Sequence, residues 1–241
     1  MSLPFVFIDQ DDWLFDEYSN LSKDYYGDPY SRYWTWQVAL NLLSQYHSVN
    51  PLIIETGCQR EPNDFGSGMS TSIFSKYISK YGGSLISVDN TAEHIERSKK
   101  FVIEWADKIS FIEEDSIVFL SSYSGPPINF LYLDSLDYPY GDILDIYGGK
   151  EDINKAIEIV ANLGTEEVYR RHSEIVAPAQ KHCLNELKAI EEKLSLKTIL
   201  LLDDNSLPGG GKTRLAKEYL TKEPGWTCVL DLQQSLWIKE L

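Results

Sequence analysis

A chain of 241 residues can bury one sizeable core, and a formal net charge of −15 argues against nucleic acid and anionic membrane surfaces as partners. The hydrophobic fraction of 43% is that of an ordinary globular protein, and no apolar run approaches the roughly 20 residues of a membrane span. The N-terminus lacks signal-peptide features, and three scattered cysteines fit neither a disulfide framework nor a zinc site, so we expect a cytoplasmic protein.

The first 50 residues are rich in aromatic side chains and predict a helical lead-in. One apolar stripe recurs at helical spacing, at Tyr33, Trp36, Leu40, Leu43 and Tyr46. We expect this stripe to pack the helix on a sheet. The alternative is a lid or a subunit contact, which would make the protein a homodimer. Asn50 and Pro51 then end the helix and begin the first strand.

From Pro51 onward, apolar runs alternate with helical stretches, which predicts an α/β fold with a mostly parallel sheet. Strands are expected at 52–55, 84–89, 109–112, 128–134 and 198–203, with helices near 69–81 and 91–106.

The last two apolar runs, 226–230 and 234–238, are separated by only a few polar residues. That spacing predicts an antiparallel hairpin, because a parallel crossover needs about a dozen residues or more. We therefore expect one domain over 1–241. Its core, from residue 51, would be a Rossmann-like, seven-stranded, mostly parallel sheet with an antiparallel last strand and helices on both faces.

The stretch 138–177 looks like an insertion between the fourth and fifth strands of this core. Several glycines interrupt it, and a helix is predicted at 151–163. Pro178 would then lie in the first turn of the next helix, where its missing N–H costs nothing. That next helix carries an apolar stripe expected to face the sheet, at Cys183, Leu184, Leu187, Ile190 and Leu194.

Four of the predicted strands end on acidic side chains, namely Glu55, Asp89, Asp134 and the pair Asp203-Asp204. Ligands of open α/β sheets bind in the crevice at the carboxyl ends of the strands. Carboxylates gathered there repel one another unless a cation lies among them. The sequence thus predicts a site for a cationic ligand, a metal ion, or both.

Glycines between the first strand and its helix would let the backbone approach a ligand closely. Gly57 follows the strand directly, whereas Gly66 and Gly68 come late and Thr71 stands where a dinucleotide fingerprint needs its third glycine. Glu55 would also be unfavourable beside a pyrophosphate. The same acid suits the sulfonium and ammonium groups of S-adenosylmethionine, so a nicotinamide-dependent dehydrogenase is the weaker interpretation.

Glu-x-Gly at the end of strand one, an acid ending strand two and Asp-Ser after strand three resemble class I S-adenosylmethionine-dependent methyltransferases. The resemblance covers roughly residues 50–241. It implies that particular residues bind the cofactor: Glu55, Gly57 and Gly68 at the methionine end, Ser70 near the carboxylate, Asp89 at the ribose and Asp115 by the adenine.

The ends of strands four and five resemble the small-molecule O-methyltransferases of the catechol and caffeoyl-coenzyme A type. By that resemblance, Asp134, Asp204 and Asn205 would ligate a divalent ion such as Mg²⁺, which prefers hard oxygen ligands. The ion would lower the pKa of the attacking hydroxyl. Macrolide-sugar methyltransferases are also similar, and there Asp203 and Asp204 would be the relevant pair.

The catechol-type enzymes have a lysine base a few residues after the strand-four acid, and here Asp137 stands at that position. Asp137 would be a further metal ligand or a weak base, and with Asp134 it makes up the predicted catalytic pair. His172 and Lys212 are further candidates for the base.

The run 209–213 suggests a P-loop, but Ser206 stands where that motif needs glycine. A mobile loop over the substrate, with Lys212 contacting an anionic substrate group, fits better. Together these features predict metal-assisted methyl transfer from S-adenosylmethionine to a hydroxyl of a small metabolite or sugar. A metal-independent methyltransferase of the same fold and a non-catalytic S-adenosylmethionine-binding protein are the alternatives.

Overall fold

Seven strands form one sheet in the computed structural model, which describes residues 13–14, 32–62, 69–139, 141–142, 158–159, 161–205 and 207–240. The strands are β1 (Leu52–Thr56), β2 (Ser84–Asp89), β3 (Ile109–Glu113), β4 (Phe130–Leu133), β5 (Ile199–Leu202), β6 (Trp226–Asp231) and β7 (Ser235–Lys239).

The strand order is β3-β2-β1-β4-β5-β7-β6, and the first five of these neighbours pair in parallel. β7 is antiparallel to both β5 and β6, which confirms the predicted hairpin and the Rossmann-like sheet. The chain builds outward from β1 in one direction and from β4 in the other. The boundary between β1 and β4 is therefore the switch point at which α/β sheets bind ligands.

Helices surround the sheet and leave its central strands fully buried. Every residue of β1, β4 and β5 is buried, which explains the continuous apolar sequences of β4 and β5 and the apolar first three residues of β1. The helices are α1 (Arg32–Tyr46), α2 (Ser70–Tyr81), α3 (Ala92–Phe101), α4 (Ser116–Ser122), α5 (Thr165–Ile190) and α6 (Arg214–Leu220), with 3₁₀ segments at Ile103–Lys108, Glu191–Lys193 and Pro208–Gly210.

On one face of the sheet, α1 packs through its aromatic stripe. Trp36 is completely buried, with its ring 5.2 Å from that of Phe74 and stacked 6.4 Å from that of Phe130. Leu40 and Leu43 belong to the same core cluster. The stripe thus packs on the sheet as predicted, because an indole ring buried among aromatic side chains removes a large apolar area from water.

On the other face, α5 packs through Cys183, Leu187 and Ile190, which lie in one cluster with residues of α4 and α6. The predicted apolar stripe is confirmed at these positions. Leu194 is also buried, but it lies beyond the helix. Within the described ranges, no helix is both long and apolar enough to cross a bilayer.

Two predicted helix boundaries are wrong. The helix expected at 91–106 ends at Phe101 and is followed by a 3₁₀ segment. The next two residues, Val102 and Ile103, are β-branched, which lowers their preference for the α-helix. The helix expected to start at Pro178 already begins at Thr165, after Gly164 at a φ of 79°. Of the helix predicted at 151–163, only 158–159 and 161–163 lie within the described residues, and these are helical.

Pro178 therefore lies in the interior of a 26-residue helix. The buried positions Val168, Val176 and Cys183 lie on both sides of it and carry the packing through the proline. Tertiary packing of this face outweighs the local cost of a missing N–H donor and of the ring's clash with the preceding turn.

The substitution Pro178→Ala should stabilise the protein, because Pro178 is exposed and alanine restores the helix hydrogen bond. We expect the free energy of unfolding to rise by about 1 to 3 kcal/mol in urea titrations. The control Lys181→Ala, at an exposed position of the same helix, should change it by less than about 0.5 kcal/mol. An equal effect of both substitutions would contradict this interpretation.

Candidate functional site

A cleft of about 180 Å³ opens at the carboxyl ends of β1, β2 and β4, beside the switch point between β1 and β4. Gly57, Asp89 and Asp134 line it: Asp89 is the last residue of β2, and the other two directly follow β1 and β4. A narrower extension of the cleft runs past Asp115 and Ser116 at the start of α4. Five predicted site residues are thus brought together: Gly57, Asp89, Asp115, Asp134 and Asp137.

Gly57 brings two strand ends into close contact. Its φ is +82°, and a Cβ built on it would lie 2.4 Å from the backbone oxygen of Asp134. Its N–H donates to the Val88 carbonyl at 2.7 Å. Only glycine tolerates both the positive φ and the contact with Asp134. The close approach that the structure shows at Gly57 is that of the Asp134 backbone, and close approach of a ligand stays a prediction.

Asp89 is held in a fixed orientation at the end of β2. Its Oδ2 accepts from the Cys58 backbone N–H at 3.2 Å, and its Oδ1 accepts from the Thr91 N–H at 2.9 Å. The His94 ring lies 3.3 Å from the same Oδ1. Burial, with the nearby Asp89 charge, raises the pKa of the Cys58 thiol far above its usual value, so this cysteine is not a reactive nucleophile.

Asp115 is the N-cap of α4, where its Oδ1 accepts from the backbone N–H groups of Ile117 and Val118. The neighbouring Ser116 contacts His182, a residue that the sequence interpretation missed. His182 Nε2 lies 3.1 Å from Ser116 Oγ and 2.8 Å from Ser135 Oγ. It lines the narrow end of the cleft. His182 lies within the helix predicted from the sequence, but its contacts with Ser116 and Ser135 are long-range and no local pattern indicates them.

Glu55 lies beneath the cleft instead of lining it. The side chain is fully buried and accepts a hydrogen bond of 2.6 Å from Thr71 Oγ1, which ties β1 to α2. Burial raises the pKa of this carboxyl to about 7, against the opposing effect of the Thr71 bond. Ser70 is buried at the first position of α2, and Gly68 lies outside the described residues.

The acids that end β4 and β5 form a carboxylate edge made up of Asp134, Asp203 and Asp204, as the sequence predicts. Two cations neutralise this edge. Arg32 of α1 binds Asp203 Oδ1 at 3.0 Å and Asp204 Oδ1 at 3.2 Å. Lys212 forms ion pairs with Asp134 Oδ1 and, at 3.4 Å, with Asp204 Oδ2.

Lys212 is only 3% exposed, so the prediction that it contacts an anionic substrate from a mobile loop is wrong. Burial alone would lower the pKa of Lys212, but the carboxylates of Asp134, Asp204 and Asp203 outweigh it and raise that pKa. Lys212 therefore stays an ammonium group and does not serve as a base. Burial raises the pKa of Asp134 to about 7 despite the lysine.

Asn205 turns away from the carboxylate edge. Its Oδ1 accepts from Thr213 Oγ1 at 3.0 Å and from Lys217 Nζ at 2.7 Å, while its Nδ2 donates to Asp231 Oδ1 at 2.8 Å. The preceding Asp204 has a left-handed φ of 55°, which redirects the chain towards the terminal hairpin. The predicted ligand set of Asp134, Asp204 and Asn205 is therefore not assembled.

The residues of the carboxylate edge do not fit the predicted divalent ion, because their oxygens already bind Lys212 and Arg32. Over the part of the chain that the structure describes, no group of three or more His, Cys, Asp or Glu side chains could hold a metal ion.

Asp137, predicted as a ligand or base, lies at the cleft rim and is 68% exposed. It forms a two-bond ion pair with Arg60, with N–O distances of 2.7 and 3.0 Å. His172, another candidate base, is buried and hydrogen-bonds Tyr138 Oη at 2.9 Å. Neither residue joins the carboxylate edge, and His172 does not line the cleft.

Solved structures share this architecture at low sequence identity. A Corynebacterium glutamicum protein superposes with a TM-score of 0.53 and 13% identity, covering 97% of this chain and 93% of its own. A putative Streptococcus mutans methyltransferase in complex with SAH, and a putative rRNA-methylase from Clostridium thermocellum, both have TM-scores of 0.52. Their identities are 12% and 10%, and each comparison covers 85% of this chain and 96% of the other.

The chain has the Rossmann-like methyltransferase fold. No model of a known protein family matches its sequence, nor does any curated protein sequence. At these identities the comparisons establish the fold alone. The predicted fold is confirmed, and the reaction is inferred from the cleft.

The substitution Glu55→Gln should change how stability depends on pH. Because the pKa of Glu55 is about 7 in the folded chain against 4.5 normally, the folded state binds a proton more tightly than the unfolded state. The free energy of unfolding therefore falls as pH rises through this range. Between about pH 5 and pH 8, the variant should gain up to about 3 kcal/mol relative to the unmodified protein.

Urea titrations at both pH values measure this difference. Glu104→Gln, at an exposed position of the 3₁₀ segment, is the control and should show no such gain. The buried, proton-binding state of Glu55 would be contradicted if the free energy of unfolding changed between the two pH values by the same amount in Glu55→Gln and in the unmodified protein.

Proposed function

We propose that the protein transfers a methyl group from S-adenosylmethionine to a hydroxyl group of a small molecule. The observation that carries this proposal is the cleft at the ends of β1 and β2, with Asp89 fixed at its rim by three neighbouring donors. An immobilised carboxylate at this place suits the two hydroxyl groups of a ribose, since it accepts hydrogen bonds without further ordering.

The rest of the cleft suits the remaining parts of the cofactor. The narrow end, beside Asp115, Ser116 and His182, offers polar groups for an adenine. The part of the cleft between Gly57 and Asp134 is left for the amino-acid end. When bound, S-adenosylmethionine supplies the methyl group as an activated sulfonium.

Asp134 is the member of the carboxylate edge that lines the cleft, whereas Asp203 is fully buried. We assign to Asp134 the role of orienting the acceptor hydroxyl and accepting its proton as the methyl group is transferred. Placing the acceptor in line with the sulfonium would supply most of the rate, because bringing two reactants together removes much of the entropic barrier. No step requires a divalent ion.

The acceptor is proposed to be a small molecule. Asp89, Asp134 and Asp137 line the cleft, and the chain carries a net charge of −15. Such a surface repels the phosphate backbone that RNA-binding proteins must neutralise. The likeness to a putative rRNA-methylase concerns the fold and does not extend to the substrate.

Isothermal calorimetry with S-adenosylhomocysteine tests the cofactor assignment. The unmodified protein should bind this product, and Asp89→Asn should weaken binding by about 10- to 100-fold, since hydrogen bonds to a charged acceptor are lost. Asp107→Asn removes the same charge from an exposed position away from the cleft and should leave the affinity unchanged.

Absence of binding at millimolar ligand, or equal affinities of the two variants, would contradict the assignment. Incubation with S-adenosylmethionine and a panel of hydroxylated metabolites tests catalysis separately. Cofactor that is bound but never consumed would favour a non-catalytic binding protein.

A further inference from the structure

We propose that the ammonium group of Lys212 permanently occupies the cation position of the carboxylate edge, so that the protein holds Asp134 and Asp204 in place without a divalent metal ion. Lys212 is then a positioning residue for Asp134. The role of Lys212 in catalysis rests on the proposed function, but its occupation of the cation position can be tested without measuring catalysis.

Lys212 has three oxygen partners. It donates hydrogen bonds to Asp134 Oδ1 and, at 3.2 Å, to the Leu136 carbonyl. Asp204 Oδ2 lies at an ion-pair distance of 3.4 Å. The side chain is 3% exposed. A buried cation with three oxygen partners from three positions of the chain resembles a coordinated ion more than a surface ion pair.

The carboxylate oxygens have donors as well. Arg32 binds one oxygen of Asp204 and both oxygens of Asp203, and Gln234 Nε2 lies 3.2 Å from Asp203 Oδ2. The Tyr132 hydroxyl lies between Asp203 Oδ2 and Asp134 Oδ2. A divalent ion needs ligand oxygens at about 2.1 Å and would have to displace these donors.

Charge repulsion leads to the same conclusion. Two buried cations, Arg32 and Lys212, already face the acids of the edge. A dication added beside the ammonium group would repel it strongly in this poorly solvated place. Lys212 and a metal ion are therefore alternatives for the same position.

The conformation of the loop before Lys212 brings this residue close to Asp204. Gly211 has a φ of +59°, and a Cβ built on it would lie 1.7 Å from the Asp204 backbone oxygen. Gln180 of α5 donates to the Gly211 carbonyl at 2.9 Å and to the Gly209 carbonyl at 3.2 Å. The glycine run thus lets the loop pass closely under Asp204, where α5 holds it.

Titration with Mn²⁺, followed by electron paramagnetic resonance at mildly alkaline pH, tests the inference. The unmodified protein and Lys212→Arg, which keeps the charge, should bind no Mn²⁺ tightly. Lys212→Met removes the ammonium group at similar side-chain length and should bind Mn²⁺ at least tenfold more tightly. Adding Asp204→Asn to Lys212→Met should abolish that gain. A purely structural role of the lysine would not create a metal site.

Stoichiometric Mn²⁺ binding by the unmodified protein that Asp204→Asn abolishes would overturn the inference, and this comparison remains decisive if Lys212→Met does not fold. A folded Lys212→Met variant that gains no Mn²⁺ would overturn it too. Calorimetry with S-adenosylhomocysteine on the same preparations reports on the proposed function independently, so the two failures can be told apart.

Discussion

Neutralisation of the carboxylates at the ends of β4 and β5 is the constraint on which the rest of the structure depends. Asp134, Asp203 and Asp204 lie together because the carboxyl ends of parallel strands meet at one edge of the sheet. Burial alone would make this arrangement costly. Arg32 of α1 and Lys212, which precedes α6, offset this cost by binding the carboxylates.

This requirement ties distant elements to the site. α1 must lie across the sheet for Arg32 to reach Asp203, and Trp36 on the same helix supplies the apolar contact that keeps it there. The loop after β5 must pass under Asp204 for Lys212 to reach Asp134. Asn205 then joins this loop to the terminal hairpin through Asp231 and Leu232. The carboxylate edge thus connects α1, the loop after β5 and the terminal hairpin.

Much of the fold could be predicted because its signals are local. Apolar runs gave the strands, and the short spacing between 226–230 and 234–238 gave the antiparallel hairpin. The carboxylate edge followed from strand polarity. Glycine at position 57 is predicted for close approach of a ligand, whereas the contact that requires glycine in the structure is with the Asp134 backbone.

The tertiary contacts of individual side chains could not be predicted from the sequence. Pro178 suggested a helix start, but burial of Val168 and Val176 carries the helix through it. The glycine-rich loop around Lys212 suggests a substrate contact. Its partners Leu136 and Asp134 lie 76 and 78 positions away in the sequence, and no local pattern indicates them. His182 lines the narrow end of the cleft through its contacts with Ser116 and Ser135. Such contacts are set by tertiary packing, which local patterns do not encode.

The most direct test of the account is a crystal structure of the unmodified protein grown with S-adenosylhomocysteine and Mn²⁺, with anomalous data collected at the manganese edge. The account predicts the ligand's ribose on Asp89, the Lys212 ammonium group between Asp134 and Asp204, and no anomalous peak there. A manganese peak between these carboxylates, with Lys212 displaced, would contradict it.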